Sequence, residues 1–351
     1  MMGFCSGEVD NLPVVEPEEI FGFAPHLYIF AAVNIIVNCT VTYLILFHST
    51  QNMKFYKWFL LYSVVTAMIM DLHNSIIYGA YYLLPAMIAC CTGICKNWGM
   101  YWGSNLNYMI FELDLAVMGF GLCALMIYRY HVLNGTSELM EKKWFILCLF
   151  LVSIIYLIPI YIPEILALEG MTNETVIDYI NRTAPQYIKV VKTGICSAFV
   201  DLKWGMIYFV VAGVCIIFIC GLALYYSIKS VLLLRRLRES MSATTYALQK
   251  QFIYSVFVQI AVPLFSFVLP VLSIIIITLL GCRISLIYSE LFVKSTLLHA
   301  PLNGLAVLFT IKPYREALKQ MVYKIFPKLK RSNLIQVQTS ITGHDNVGQI
   351  S

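Results

Sequence analysis

Seven long apolar segments, separated by short polar stretches, dominate the chain. They fall at about residues 23–47, 58–84, 103–127, 144–168, 205–228, 252–280 and 284–311. The sixth is the most pronounced, because no Asp, Glu, Lys or Arg occurs from Gln251 to Cys282. A helix of about 20 apolar residues is long enough to cross a bilayer. The pattern therefore predicts seven transmembrane helices.

The composition agrees with a membrane protein of many spans. Hydrophobic residues make up 60% of the chain and charged residues 12%, whereas roughly 25% of a soluble domain is charged. Residues 1–22 contain acidic residues but no Lys or Arg, so the basic start of a cleaved signal peptide is missing. We expect an all-α, seven-transmembrane bundle over residues 23–311, preceded by an extracellular segment, 1–22.

Basic residues predict the orientation of the bundle. A cluster formed by Lys229, Arg235, Arg236 and Arg238 precedes the sixth segment, and further Lys and Arg residues follow the seventh. Because cytoplasmic connections are enriched in Lys and Arg, the N-terminus is predicted outside and the C-terminus inside. The net charge of +5 is thus explained by topology, and no nucleic-acid partner is expected.

The chain after the last apolar segment divides into two parts. In residues 312–327, Leu318, Met321 and Ile325 recur at helical spacing, with basic residues on the other side. Such a short basic amphipathic helix is predicted to lie on the membrane surface, in contact with lipid. Residues 328–351 are polar and rich in Ser and Thr, which favours a disordered cytoplasmic tail.

Prolines within the sixth and seventh segments predict bends. Proline removes a backbone donor and clashes with the carbonyl one turn earlier, which kinks a helix. Pro263, Pro270 and Pro301 are therefore candidate hinges.

The longest outer loop, 169–203, carries candidate modification sites. Asn173 and Asn181 each begin a glycosylation sequon, which could also occur by chance. Cys196 could pair with Cys90, Cys91 or Cys95, which cluster before the third segment, because the outer side is oxidising. The sequence leaves the connectivity open; we expect Cys95 to pair with Cys196.

Polar residues inside the apolar segments are candidates for function, because burying them in a membrane is costly. Asn34 and Asn38 lie on one face of the first helix and could hydrogen-bond towards Asp71 in the second. This polar core could equally be only structural. Free cysteines within the segments are read as small hydrophobic residues.

A second polar set is predicted near the outer half of the bundle. Glu112 in the third segment and Lys294 in the seventh lie at similar depth, with Tyr108 one turn before Glu112. A link between Glu112 and Lys294 could be broken by a ligand, so these three residues are the candidate ligand site. The alternative is an ion pair within one helix, between Lys294 and Glu290.

Several short motifs resemble those of a G-protein-coupled receptor, but not of the common rhodopsin-like kind. Tyr128-Arg129-Tyr130 has a tyrosine where the usual acid precedes the arginine, and Pro301-Leu302-Asn303 with Pro313-Tyr314 replaces Asn-Pro-x-x-Tyr. With Asp71-Leu72-His73 and Gln259-Ile260-Ala261-Val262-Pro263, these motifs resemble the nematode serpentine chemoreceptors of the Str superfamily, classes I and H most of all.

The resemblance implies a function. A receptor of this kind detects a small odorant or pheromone-like molecule at its outer side and activates a heterotrimeric G protein inside. It implies a multi-pass protein of the plasma membrane, in the cilia of sensory neurons. The residues expected to couple to the G protein are Tyr128, Arg129, Tyr130, Arg235, Arg236 and Arg238. The arginine cluster could instead serve only to fix the topology.

Other classes of protein fit less well. A transporter or ion channel for a small solute remains the alternative, although no inverted repeats are evident. No enzymatic function is expected, because the sequence has no metal-ligand cluster, nucleophile motif or phosphate loop, and its histidines are dispersed. Neither a metal nor another cofactor is predicted.

Overall fold

The computed structural model describes residues 14–53, 55–84, 86–142, 144–280, 286–325 and 327. Within these residues, seven helices are long and apolar enough to cross a membrane, which confirms the predicted bundle. We number them span 1 to span 7: Pro17–His48, Tyr56–Tyr78, Met100–Asn134, Trp144–Ala167, Leu202–Ser240, Ala243–Leu280 and Leu286–Thr310. Most of the predicted N-terminal segment and all of the predicted tail, 328–351, lie outside the described residues.

Several spans combine helical segments of different kinds. The segments are Pro17–Phe21 and Ala24–His48 in span 1; Tyr56–Leu72 and a π-helix, His73–Tyr78, in span 2; a π-helix, Met100–Asn105, and Leu106–Asn134 in span 3; Leu202–Arg236 and a 3₁₀ turn, Leu237–Ser240, in span 5; Ala243–Pro263, a π-helix, Leu264–Val268, and Leu269–Leu280 in span 6; Leu286–Leu297 and His299–Thr310 in span 7. Span 4 is one helix, Trp144–Ala167.

Span 2 is shorter than predicted at its outer end. Gly79 has a φ of 56°, in the left-handed region, and ends the helix. Ala80–Leu83 then forms strand β1 instead of a last helical turn. The predicted extension of this span to Leu84 is therefore wrong.

A small antiparallel sheet covers the end of the bundle that carries the N-terminal segment, which we call the outer end after the predicted orientation. Strand β1 pairs with β2, Ile88–Cys91, and β2 pairs with β3, Cys196–Ala198. The loop helices Asn173–Thr183 and Ile188–Val191 pack beside the sheet, in one hydrophobic cluster with Ile20 and Val293.

Span 3 is central and contacts spans 2, 4, 5 and 6. Spans 4 and 5 expose large apolar side chains such as Ile155, Ile217 and Phe218, as expected of surfaces that face lipid. Span 7 packs against spans 1, 2 and 6 and closes the bundle.

The terminal helix, Lys312–Ile325, follows span 7 directly. Its Tyr314 is fully buried and its hydroxyl lies 2.8 Å from the Ser49 hydroxyl at the end of span 1. Leu318 and Met321 also pack on the bundle, whereas Ile325 is exposed. Its position on a membrane surface stays a prediction.

Candidate functional site

A cavity of about 520 Å³ lies between spans 3, 4, 5 and 6, beneath the outer sheet. Strands β2 and β3 contribute Ala89 and Ser197 to its wall. Most of the wall is aliphatic or aromatic. Its size falls within the roughly 300–1,000 Å³ typical of small-molecule sites.

Two glutamates give this apolar cavity a polar centre. Glu112 of span 3 and Glu164 of span 4 both line it, and their carboxyl groups lie side by side. Glu112 is 8% exposed and Glu164 is fully buried. Placing two acids together in such surroundings is costly, which makes them candidates for function.

Tyrosines connect the glutamates to span 5. The Tyr208 hydroxyl donates a hydrogen bond to Glu112, and the Tyr108 hydroxyl lies 2.6 Å from that of Tyr208. Because Tyr208 gives its only hydroxyl proton to Glu112, Tyr108 is the donor to Tyr208. The predicted site residues Glu112 and Tyr108 thus belong to one hydrogen-bonded chain on the cavity wall.

Tyr82 of strand β1 borders the same cavity from the outer end. Burial, and then the nearby Glu112, raise the pKa of its hydroxyl above the usual value for tyrosine. Its ring packs edge-on against Phe292 of span 7, with centroids 5.6 Å apart. The phenol therefore stays neutral and acts only as a hydrogen-bonding or aromatic group.

The cavity also borders the outside of the bundle between spans 5 and 6. Ile217 and Leu224 of span 5 and Leu269 of span 6 line it, and each is also exposed on the surface. All three of these lining side chains are aliphatic.

Lys294 does not join the cavity. Its Nζ lies 3.1 Å from Glu290 Oε2 and 5.1 Å from the centroid of the Phe23 ring. The predicted link between Glu112 and Lys294 is wrong, because Lys294 reaches the acid one turn away on its own helix. Glu112 bonds to Tyr208 instead.

The predicted disulfide between Cys95 and Cys196 is also wrong. Cys90 and Cys196 form one disulfide, and Cys91 and Cys95 form another. The register of the sheet places Cys90 directly opposite Cys196. Cys95 lies in the 3₁₀ turn Ile94–Trp98, where it reaches Cys91 instead.

The predicted polar core forms two separate sets of hydrogen bonds. The Asn38 side chain donates to the Asn34 side chain at 2.6 Å, and Asn34 donates to the Met68 carbonyl of span 2 at 3.1 Å. Asp71 instead accepts the backbone N–H of Ala300 at 3.0 Å. That N–H is free because span 7 breaks at Leu298 and a new helix starts.

A third polar cluster joins spans 2 and 3. His73 Nδ1 lies 3.0 Å from Asp114 Oδ2, and His73 Nε2 lies 3.1 Å from Asn107 Oδ1. Asp114 therefore faces span 2, whereas Glu112, two residues earlier, faces the cavity. This cluster holds the outer parts of spans 2 and 3 together.

The prolines of span 6 flank its π-helix, Leu264–Val268, with Pro263 before it and Pro270 after it. Because Pro270 has no N–H, the Ser266 carbonyl lacks its helical donor. The Ser295 hydroxyl of span 7 donates to that carbonyl at 3.0 Å.

Pro301 lies in the first turn of the second helix of span 7, where a missing N–H is tolerated. Movement at Pro263, Pro270 and Pro301 stays a prediction.

Arg129 occupies the centre of the inner end. Its Cζ lies 3.3 Å from the centroid of the Tyr56 ring in span 2 and 4.0 Å from that of Phe252 in span 6. The side chain is 4% exposed, and its Nε and Nη2 have no hydrogen-bond acceptor among the described residues. We call this arrangement the Arg129 clamp.

The other predicted coupling residues point elsewhere. Tyr128 stacks on Phe59 at 4.7 Å and Tyr130 packs edge-on against Tyr226 at 5.7 Å. The three predicted arginines beyond span 3, which are Arg235, Arg236 and Arg238, are all exposed at the inner end of span 5. Span 3 runs on to Asn134, so Tyr128-Arg129-Tyr130 lies inside the helix and not at its end.

Both predicted glycosylation sites lie on the loop helix Asn173–Thr183, and both Asn173 and Asn181 are exposed. Their modification stays a prediction.

The model of the serpentine type 7TM GPCR chemoreceptor Sri family matches residues 14–318. The chain belongs to this family. The match covers every span of this serpentine chemoreceptor, so it is a multi-pass membrane protein of a receptor class. No curated protein matches it by sequence. Its assignment to the Str superfamily stays a prediction.

Residue patterns alone did not predict three of the contacts in this chemoreceptor's site. Glu164 and Tyr208 meet Glu112 only through contacts between helices, and Phe252 meets Arg129 in the same way. Glu164 had a signal of its own, because an acid inside an apolar span is a candidate by default. The two aromatic residues had none.

Proposed function

We propose that this chemoreceptor binds a small molecule in the outer cavity and, when occupied, activates a heterotrimeric G protein at its inner end. The observation that carries the proposal is that span 6 forms both a wall of the cavity and one side of the Arg129 clamp. We further propose that the receptor is located in the plasma membrane of sensory cilia.

Two features of the outer end support ligand binding. The sheet covers the cavity and is tied to itself by the disulfide between Cys90 and Cys196. The wall is apolar except around Glu112 and Glu164, so an apolar molecule gains from burial and the acids can fix its orientation.

The path from input to output runs along span 6. Leu264, Phe267 and Val268, all in its π-helix, line the cavity. The ring of Phe267 also packs against Phe111 of span 3, with centroids 6.2 Å apart. π-Helices are frequent at functional sites, and this one replaces regular hydrogen bonding with a segment that can repack. A ligand that favours one packing of Phe267 therefore biases the position of span 6.

The output end carries a buried cation without a carboxylate partner among the described residues. In the closed arrangement, the rings of Tyr56 and Phe252 cover the Arg129 guanidinium. If span 6 moves outward, Phe252 leaves with it, and Arg129 faces a cleft beside Arg235 and Arg236. A helix of the G protein could enter that cleft, in the manner of other receptors that switch by rigid movement of helices.

Calcium imaging of cells that express the full chain, tested against a panel of odorants, provides the first test. Once an active odorant is found, Ala212→Trp should abolish the response, because Ala212 lines the cavity and the larger ring fills it. Val214→Trp is the matched control, because Val214 is 62% exposed on the same helix. An odorant that acts equally on Ala212→Trp at normal surface expression would contradict the cavity as the binding site.

A further inference from the structure

We propose that the ligand is a cationic amine with an apolar body, whose ammonium group binds between the carboxyl groups of Glu112 and Glu164. The inference rests on the proposed function, because it takes the outer cavity to be the ligand site. It adds the chemical class of the ligand.

The first support is the unsatisfied state of the two acids. Among the described residues, neither Glu164 oxygen nor Glu112 Oε2 accepts a hydrogen bond from any group other than the neighbouring glutamate. Buried polar groups in proteins are nearly always hydrogen-bonded, so such exceptions require an explanation. Both side chains border the cavity, where an incoming group can reach them.

The second support is the sign of the charge. Two adjacent carboxylates repel each other, and burial adds the cost of removing each from water. No Lys, Arg or His is present among the described residues that line the cavity. A cation bound between Glu112 and Glu164 would remove the repulsion and supply the missing donors, since an ammonium group has up to three.

The third support is the aromatic surroundings of the acids. Tyr108 and Tyr208 are bonded to each other beside Glu112, and the Phe199 ring packs against Tyr208 with centroids 5.1 Å apart. Aromatic faces attract organic cations and are the common means by which proteins bind alkylated ammonium groups. The rest of the wall is aliphatic and matches an apolar body.

Other ligand charges fit the cavity less well. An anion would meet two carboxyl groups and no base. A hard metal ion such as Ca²⁺ takes six to eight oxygen ligands, and the wall near the acids is mainly aromatic and aliphatic. A neutral ligand could bind the apolar wall but would form no charge pair with the two acids.

The test measures binding to the purified full-length receptor through the shift of its thermal unfolding midpoint. The probes are two matched pairs, 2-phenylethylamine with 2-phenylethanol and tryptamine with tryptophol. Each pair shares a skeleton and differs in the charged group. We expect the amines to bind at least about 30-fold more tightly than the alcohols, because a buried charge pair is worth about 2 kcal/mol or more.

Variants locate the effect. Glu164→Gln and Glu112→Gln should each remove most of the preference for the amine, whereas the alcohols should bind as before. The matched control is Glu169→Gln, since Glu169 is exposed and lies five residues beyond Glu164. Should a Gln variant fail to fold, the comparison of amine with alcohol on the unchanged receptor still tests whether the cavity prefers a cationic amine.

The outcomes separate this inference from the proposed function. Alcohols that bind as tightly as amines, or an amine preference that survives in folded Glu164→Gln, would overturn the amine class. If that binding is nevertheless lost in Ala212→Trp, the cavity remains the ligand site and only the chemistry is wrong. Failure of both amines to bind also overturns the amine inference, while the odorant panel still tests the cavity.

Discussion

Replacing Phe252 by Leu should make the receptor signal without ligand. The change keeps an apolar side chain of similar size but removes the ring that lies 4.0 Å from the Arg129 guanidinium. A cation–π contact is worth about 2 kcal/mol when it is desolvated, and Arg129 is only 4% exposed. Because the contact exists only in the closed state, its loss destabilises that state and raises the ratio of open to closed receptors by about 30-fold.

The starting population sets the size of the effect. Minor states of switching proteins hold about 0.1–10% of the molecules. If about 1% of the receptors are open at rest, about a quarter would be open in Phe252→Leu. The Tyr56 ring remains over Arg129 in this variant, so the closed state is weakened but not abolished.

The assay is nucleotide exchange on a G protein in membranes that contain equal amounts of each receptor, without any ligand. Phe265→Leu is the matched control, because Phe265 is 67% exposed on the same span and does not contact Arg129. Arg129→Ala should abolish nucleotide exchange both in the otherwise unchanged receptor and together with Phe252→Leu, because the Arg129 guanidinium is the group proposed to contact the G protein. Unchanged basal exchange in Phe252→Leu at normal surface expression would refute the clamp.

Three further predictions concern the outer end and the orientation. Peptide mapping of the non-reduced protein should find Cys90 joined to Cys196 and Cys91 joined to Cys95; a peptide joining Cys95 to Cys196 would contradict the sheet register. An epitope tag at the N-terminus should stain intact cells and one at the C-terminus only permeabilised cells, because Lys and Arg are enriched in the connections on the side of the C-terminus; the opposite staining would rule out the receptor orientation. Glycosidase should lower the apparent mass of the protein, and Asn173→Gln with Asn181→Gln should remove that shift, whereas a mass shift that persists in the double variant would place the glycan elsewhere.

The number and kind of the spans could be predicted because the thickness of a bilayer fixes the length of an apolar helix. The length of the apolar segment did not predict correctly where span 2 ends on its outer side. Ala80–Leu83 carries no charged residue, and Gly79 marks the change from helix to strand. Hydropathy reports that a segment is buried but does not say whether it is buried in lipid or beneath a sheet.

Pairings between distant residues could not be predicted, because they depend on how separate strands and helices are placed against one another. The choice among three cysteines for Cys196 depends on the register between strands β2 and β3, and the two paired cysteines are 106 residues apart in the chain. Likewise, Glu112 was recognisable as an acid inside a span, but its neighbours Glu164 and Tyr208 depend on how spans 3, 4 and 5 rotate against one another.

The cavity has an apolar side, where Ile217, Leu224 and Leu269 are exposed. For a ligand that enters through this side, the relevant concentration is the one in the lipid and not the one in water. If the cavity binds a hydrophobic ligand and this side faces lipid, the ligand can enter from the bilayer, where it accumulates according to its partition between water and lipid. Each added methylene favours the apolar phase by about 0.8 kcal/mol, or about fourfold. Two homologous odorants whose affinities for the cavity are equal when measured from the lipid phase would therefore differ about fourfold per methylene in the dose in water that they require.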